Sequence, residues 1–70
     1  MALSKSNARE VETGRRFLRL GNPGAYARSI SGLYRASTRP QQAALAEVIR
    51  EDDTGPLFTR FNGTIVAKAL

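Results

Sequence analysis

The sequence predicts an α+β, mainly helical fold in which three short helices are followed by a C-terminal β-hairpin. Apolar residues recur at helical spacing over the first two thirds of the chain. Gly21-Asn22-Pro23 and Gly55-Pro56 interrupt that spacing, as helix boundaries do. Asn62-Gly63 then separates two short β-prone runs. A chain of 70 residues forms at most one small domain, over 1–70.

The first predicted helix spans about 5–20 and is amphipathic. Its apolar side, within an arc of about 120°, carries Val11, Gly14, Phe17 and Leu18. An arc almost opposite carries five cations, which are Lys5, Arg9, Arg15, Arg16 and Arg19. Glu12 shares the cationic arc, so we expect it to pair with Arg15 or Arg16.

The second predicted helix spans about 23–36 and begins with Asn22 as N-cap and Pro23 in its first turn. Its apolar stripe consists of Tyr26, Ile30, Leu33 and Tyr34. Small residues lie between them, and Gly32 costs roughly 1 kcal/mol of helix propensity. We therefore expect another element to pack closely at Gly32.

The third predicted helix spans about 38–51, and Thr38 with Gln41 fits the pattern of a capping box. Its apolar stripe consists of Ala44, Leu45, Val48 and Ile49. Acidic residues oppose the dipole at a helix C-terminus. We therefore expect Asp52 and Asp53 to lie beyond the last turn or to face a cation.

The hairpin is predicted over about 57–69 with its turn at 62–63. That turn pairs Phe61 with Thr64, Thr59 with Val66 and Leu57 with Lys68. An isolated two-stranded hairpin is marginal in water, so it must pack on the helices or on a partner. The full predicted core is Val11, Phe17, Leu18, Tyr26, Ile30, Leu33, Tyr34, Leu45, Val48, Ile49, Phe58, Ile65 and Val66.

Positive charge is concentrated in the first part of the chain. The net charge is +5, and residues 1–39 hold eight cationic side chains against Glu10 and Glu12. Residues 40–70 hold three cations against four acids. Such an asymmetry indicates an anionic partner for the first part.

The turn at 33–44, "LYRASTRPQQAA", raises the question of a DNA-reading helix-turn-helix. No register places a small residue and the buried apolar residues where that motif needs them. The order of elements resembles a winged-helix domain in outline only, because no strand fits at Gly21-Asn22. The third helix offers only Arg39, Gln41 and Gln42 for reading bases.

We expect a small nucleic-acid-binding protein, DNA or RNA, with a regulatory role. Its phosphate-binding residues would be Lys5, Arg9, Arg15, Arg16 and Arg19, extended by Arg28, Arg35 and Arg39 if the second helix exposes them on the same side. The alternative is a protein-interaction module or inhibitor that docks through Phe58, Arg60, Phe61 and the acidic corner at 51–53. A homodimer is compatible with either, because so small a core is marginal.

The composition argues against most chemistry. The chain contains no cysteine and no histidine, which removes thiol and imidazole catalysis and most zinc sites. We expect no enzymatic activity, no metal and no cofactor. We also expect a cytoplasmic protein without a membrane segment, because the N-terminal residues carry no apolar leader.

Overall fold

A computed structural model describes residues 2–68. It contains three α-helices, a single 3-10 turn and a two-stranded antiparallel sheet. In chain order these are α1 (Lys5–Arg19), α2 (Pro23–Ala36), α3 (Arg39–Glu51), the 3-10 turn (Gly55–Leu57), β1 (Phe58–Phe61) and β2 (Thr64–Ala67). The predicted α+β, mainly helical fold with a C-terminal hairpin is confirmed.

The boundary between α1 and α2 follows the predicted signals. Gly21 has a φ of +78°, a left-handed conformation that glycine adopts without strain. Its amide donates to the Leu18 carbonyl at 3.0 Å, and the Asn22 amide donates to the Phe17 carbonyl at 2.8 Å. This pair of bonds is a Schellman motif. Asn22 Oδ1 then caps α2 by accepting from the Ala25 amide at 3.2 Å.

The start of α3 differs from the prediction. Thr38 occupies the N-cap position, but its side chain makes no capping hydrogen bond. The predicted capping box with Gln41 is therefore absent. The Gln41 side chain instead makes hydrogen bonds to residues at the start of α1. Gln41 Oε1 accepts from the Ser4 amide at 2.8 Å and from Asn7 Nδ2 at 3.1 Å. Gln41 thus joins α3 to the first turn of α1.

The end of α3 also has a cause that the sequence pattern did not identify. The helix ends at Glu51, ahead of Gly55-Pro56, because Asp53 adopts a left-handed φ of 55°. The Asp53 amide donates to the Arg50 carbonyl at 3.1 Å, and the Thr54 amide donates to the Ile49 carbonyl at 3.0 Å. Asp53 therefore has the position that glycine usually occupies in a Schellman motif.

The hairpin has the predicted register. Phe61 pairs with Thr64, and Thr59 pairs with Val66. Asn62 and Gly63 have φ values of 51° and 76°, as a type I′ turn requires. The Lys68 amide donates to the Leu57 carbonyl at 2.9 Å, which extends the pairing by one step. Residue 69 of the predicted hairpin lies outside the described residues.

The core lies between α2 and the elements around it. Nine apolar side chains within residues 2–68 are buried, and they are Val11, Tyr26, Ala27, Ile30, Ala44, Leu45, Val48, Phe58 and Ile65. Phe17, Leu18, Leu33, Tyr34 and Ile49 of the predicted core pack against this cluster while partly exposed. The rings of Tyr26 and Phe58 meet edge to face, with centroids 6.2 Å apart. Ser31 Oγ donates to the Ile65 carbonyl at 3.3 Å and joins α2 to the outer edge of β2.

Two packing predictions are wrong. Gly32 is exposed, and a Cβ added there would meet nothing within 4 Å. The close approach occurs instead at Gly14, where a Cβ would lie 3.5 Å from Ile30 Cδ1. Val66 is also outside the core, because it lies on the opposite side of the hairpin from Phe58 and Ile65.

Candidate nucleic-acid interface

The outer side of α1 carries exposed cations because its inner side is packed on α2. Val11 and Gly14 are buried there. At about 100° per residue, Lys5, Arg9 and Arg16 lie within about 40° of the direction opposite Gly14. All three are exposed, and none forms an ion pair with another described residue. We call Lys5, Arg9 and Arg16 the α1 cationic face.

Arg19 lies within the same arc and pairs with Glu12, an acidic residue that also lies in that arc. The distance from its guanidinium nitrogen to Glu12 Oε1 is 3.1 Å, so the predicted pairing of Glu12 with Arg15 or Arg16 is wrong. The two side chains are 63% and 54% exposed. An exposed pair of this kind contributes about 0–1 kcal/mol, so a phosphate can compete for Arg19.

Arg15 has a structural role. Its Nε lies 3.0 Å from both carboxylate oxygens of Asp52, which forms the C-cap of α3. The Asp52 carboxylate also accepts from the Tyr26 hydroxyl at 2.9 Å. The hydrogen bond with Asp52 raises the pKa of Arg15. Of the predicted phosphate-binding residues on α1, Arg15 therefore already has an anionic partner within the fold.

Tyr26 belongs to the core and is inaccessible to a nucleic-acid base. Its side chain is fully buried, and its hydroxyl oxygen lies 2.8 Å from Thr54 Oγ1. Burial raises the pKa of Tyr26 to about 12. Tyr34 is half-buried at the edge of the same cluster.

The arginines of α2 face a different direction from the α1 cationic face. Gly14 of α1 approaches the side of α2 that carries Tyr26 and Ile30. Arg28 and Arg35 are exposed and lie almost opposite that side at about 100° per residue. They therefore point away from α1 and do not extend its cationic face. Exposed Arg39 lies at the start of α3, beyond the C-terminus of α2.

The residues predicted for protein docking are only partly exposed. Arg60 and Phe61 are exposed, and Phe61 retains 64% of its surface. Phe58 is a core residue with 8% exposure, so its side chain is not available to a partner. Of the acidic corner at 51–53, Asp52 is held by Arg15.

A metal site and a membrane-spanning helix are not found within residues 2–68. No three acidic, histidine or cysteine side chains are grouped so that they could hold a metal ion. None of the described helices has the length and apolar composition needed to cross a bilayer.

Comparisons with known proteins provide no family for this fold and surface. No protein-family model, no curated protein and no solved structure matches the chain.

Proposed function

We propose that this protein binds nucleic acid through the α1 cationic face. The observation that carries the proposal is the position of Lys5, Arg9 and Arg16 on one exposed side of α1, without acidic partners in residues 2–68. Arginine binds phosphate with two parallel hydrogen bonds, and neutralising phosphates releases condensed counterions. The face therefore has the chemistry that a polyanion requires.

The excess of cations supports an anionic partner. Within residues 2–68, ion pairs join Arg15 to Asp52, Arg19 to Glu12 and Arg50 to Glu47. Eight cations have no acidic partner among these described residues, namely Lys5, Arg9, Arg16, Arg28, Arg35, Arg39, Arg60 and Lys68. Among the acidic side chains, Glu10, Glu51 and Asp53 remain without a cationic partner in residues 2–68. The internal pairs thus leave the net positive charge on the surface.

The dimensions of the face fit a phosphate backbone. Lys5 and Arg16 are separated by about 16 Å along the axis, at about 1.5 Å per residue. A duplex carries one phosphate per strand about every 3.4 Å along its axis. The three side chains can therefore contact three different phosphates.

The proposed binding is independent of base sequence. Gln41 and Gln42 were two of the three candidates for base contacts on α3, and both side chains are used within the fold. Gln41 bonds to the first turn of α1, and Gln42 Nε2 donates to the Tyr34 carbonyl at 3.0 Å. A regulatory role, DNA or RNA as the target, and a cytoplasmic location remain predictions.

Fluorescence anisotropy with labelled random duplex DNA and single-stranded RNA tests the proposal. Three or four phosphate contacts predict a loss of affinity of about 40- to 150-fold for duplex DNA between about 50 and 200 mM salt. The double variant Arg9→Ala/Arg16→Ala should bind more weakly and reduce the salt slope by about two units. Arg15 is left unchanged because its loss would disturb the fold.

Arg28→Ala/Arg35→Ala is the matched control. It also removes two positive charges, but from the side of α2 that points away from α1. It should bind nucleic acid almost as tightly as the wild type. Circular dichroism establishes that both variants are folded. Absence of binding at low salt, or equal losses in the two double variants, would contradict a site on α1.

A second candidate function is docking on a protein through the hairpin, which the exposed ring of Phe61 favours. Arg60 and Phe61 would carry it, and a second copy of the chain is the partner to test first. Analytical ultracentrifugation of the wild type and Phe61→Ser tests that form of docking. A dimer that Phe61→Ser dissociates would support it, and a monomeric wild type would exclude the second copy.

A further inference from the structure

A groove of about 440 Å³ opens between α3 and the core-facing side of the hairpin. Its apolar wall includes Tyr34, Ile49, Phe58 and Ile65, and Arg50 and Arg60 also line it. Small-ligand sites typically enclose about 300–1,000 Å³, with mostly apolar walls and a few polar groups. The groove has both properties, and neither composition nor periodicity indicated it.

The hairpin register creates the groove. Phe58, Arg60 and Ile65 share one side of the two strands, because residues alternate along a strand and Arg60 pairs with Ile65. Phe58 and Ile65 are buried against the helices, with 8% and 9% exposure. Arg60 stays exposed on the same side, nearer the turn. The space beside it is therefore not filled by the core.

The charge of the groove is positive. None of the described residues that line it is acidic. Arg50 forms an ion pair with Glu47, whereas Arg60 has no acidic partner within residues 2–68. A guanidinium that projects beside an apolar wall can bind a carboxylate through two parallel hydrogen bonds.

We propose that this groove binds a small organic anion with an apolar body, such as an aromatic carboxylate. The carboxylate would bind Arg60, and the apolar body would contact Tyr34 and Ile49, the partly exposed residues of the apolar wall. This site is separate from the α1 cationic face and does not depend on the proposed nucleic-acid binding.

An added peptide strand fits the groove less well, because the outer edge of β1 offers few main-chain groups. In an antiparallel pair, the main-chain groups of every second residue face the partner strand. The register and the hydrogen bond from the Lys68 amide to the Leu57 carbonyl show that those of Leu57, Thr59 and Phe61 face β2. The Phe58 amide donates to the Gly55 carbonyl. Arg60 is thus the only β1 residue with both main-chain groups directed outward and uncommitted within the described chain.

Titration of the full, isotope-labelled chain with 2-naphthoate by two-dimensional NMR tests the proposal. We expect saturable shifts in the amides of Ile49, Gly55, Thr59, Arg60 and Ile65. A ligand of this size should have a Kd of about 1 mM. Arg60→Ala should weaken binding about tenfold, and the neutral probe 2-naphthamide should bind the wild type about tenfold more weakly than 2-naphthoate.

Arg28→Ala is the control, because it removes the same charge from a surface remote from the groove. It should leave the 2-naphthoate affinity unchanged. Shifts confined to other surfaces, absence of saturation, or equal affinity of Arg60→Ala and wild type would overturn the proposal. Groove shifts that appear on concentrating the protein without any probe would assign the groove to a second copy and would also overturn it.

Discussion

Arg15 of α1 holds Asp52 at the end of α3, with 3.0 Å between its Nε and each carboxylate oxygen. The same carboxylate accepts from the hydroxyl of Tyr26 on α2 at 2.9 Å. Three helices therefore meet at one acidic side chain. Asp52 lies where a helix dipole disfavours negative charge, and Arg15 compensates for that position.

Arg15→Ala should lower the free energy of unfolding by about 2 kcal/mol. The Asp52 side chain is only 15% exposed and would lose its charged partner, which costs more than the loss of an exposed ion pair. Urea unfolding measures the change. Arg19→Ala removes the same charge from the same helix but breaks an exposed pair, so it should cost less than about 1 kcal/mol. Equal effects of the two variants would argue against a structural role for Arg15.

Stability should fall at alkaline pH because of Tyr26. The pKa of Tyr26 in the folded protein is about 12, above the value of about 10 in an unfolded chain. The folded state therefore retains this proton more strongly, and the resulting stabilisation is fully present below about pH 10 and is lost as pH rises through about 12. Urea unfolding across this range should show a steeper decline for the wild type than for Tyr26→Phe.

Direct titration checks the same pKa. In a Tyr34→Phe variant, Tyr26 is the remaining tyrosine, because the chain contains two. Its ultraviolet absorbance should show tyrosinate forming near pH 12 while the fold persists. Ionisation near pH 10 in the folded variant would contradict the buried environment.

Asp53→Gly should stabilise the protein by about 0.5–1 kcal/mol. Asp53 has a left-handed φ of 55°, which costs an L-residue energy that glycine avoids. Thermal unfolding should show the gain. Asp53→Asn removes the charge but keeps an L-residue at the left-handed φ. Comparing it with Asp53→Gly therefore separates the effect of the charge from the effect of the backbone conformation. Glu51→Gly should have the opposite sign, because Glu51 is still within α3.

Gly14→Ala should also stabilise the protein, by roughly 0.5–1 kcal/mol. An added Cβ would meet Ile30 Cδ1 at 3.5 Å and Tyr26 Cδ2 at 3.6 Å, which are ordinary contacts. Gly32→Ala should give a similar gain without any new contact. Gly14→Leu should instead destabilise the protein, because the interface with α2 has no room for the longer chain. A tolerated leucine in thermal unfolding would show that the helices are packed loosely at Gly14.

Local signals were sufficient to predict the elements and the hairpin register. Gly21 and Asn22 act on their own neighbours, and the turn at 62–63 fixes which residues pair across it. The role of Gln41 could not be predicted in this way. Its capping pattern with Thr38 is local, whereas its actual partners, Ser4 and Asn7, are 37 and 34 residues away.

The candidate sites show the same division between local and distant information. Helical periodicity alone identified the exposed positions of Arg9 and Arg16. It could not show that Arg15, on the same arc, meets Asp52 of another helix. The available signal for this pair was the expectation that Asp52 lies beyond the last turn or faces a cation, and Asp52 does both, because it follows α3 as its C-cap and pairs with Arg15.

The bonds of Gln41 have a consequence for the order of folding. The Ala2 carbonyl also accepts from Gln41 Nε2. The Gln41 side chain therefore bonds to three residues that precede it by 34 to 39 positions in the sequence. Closing a loop of that length costs more entropy than docking adjacent helices. We expect α1 and α2 to associate first and the attachment of α1 to α3 to form late. Amides of the first turn of α1 should then exchange with solvent before those of α2.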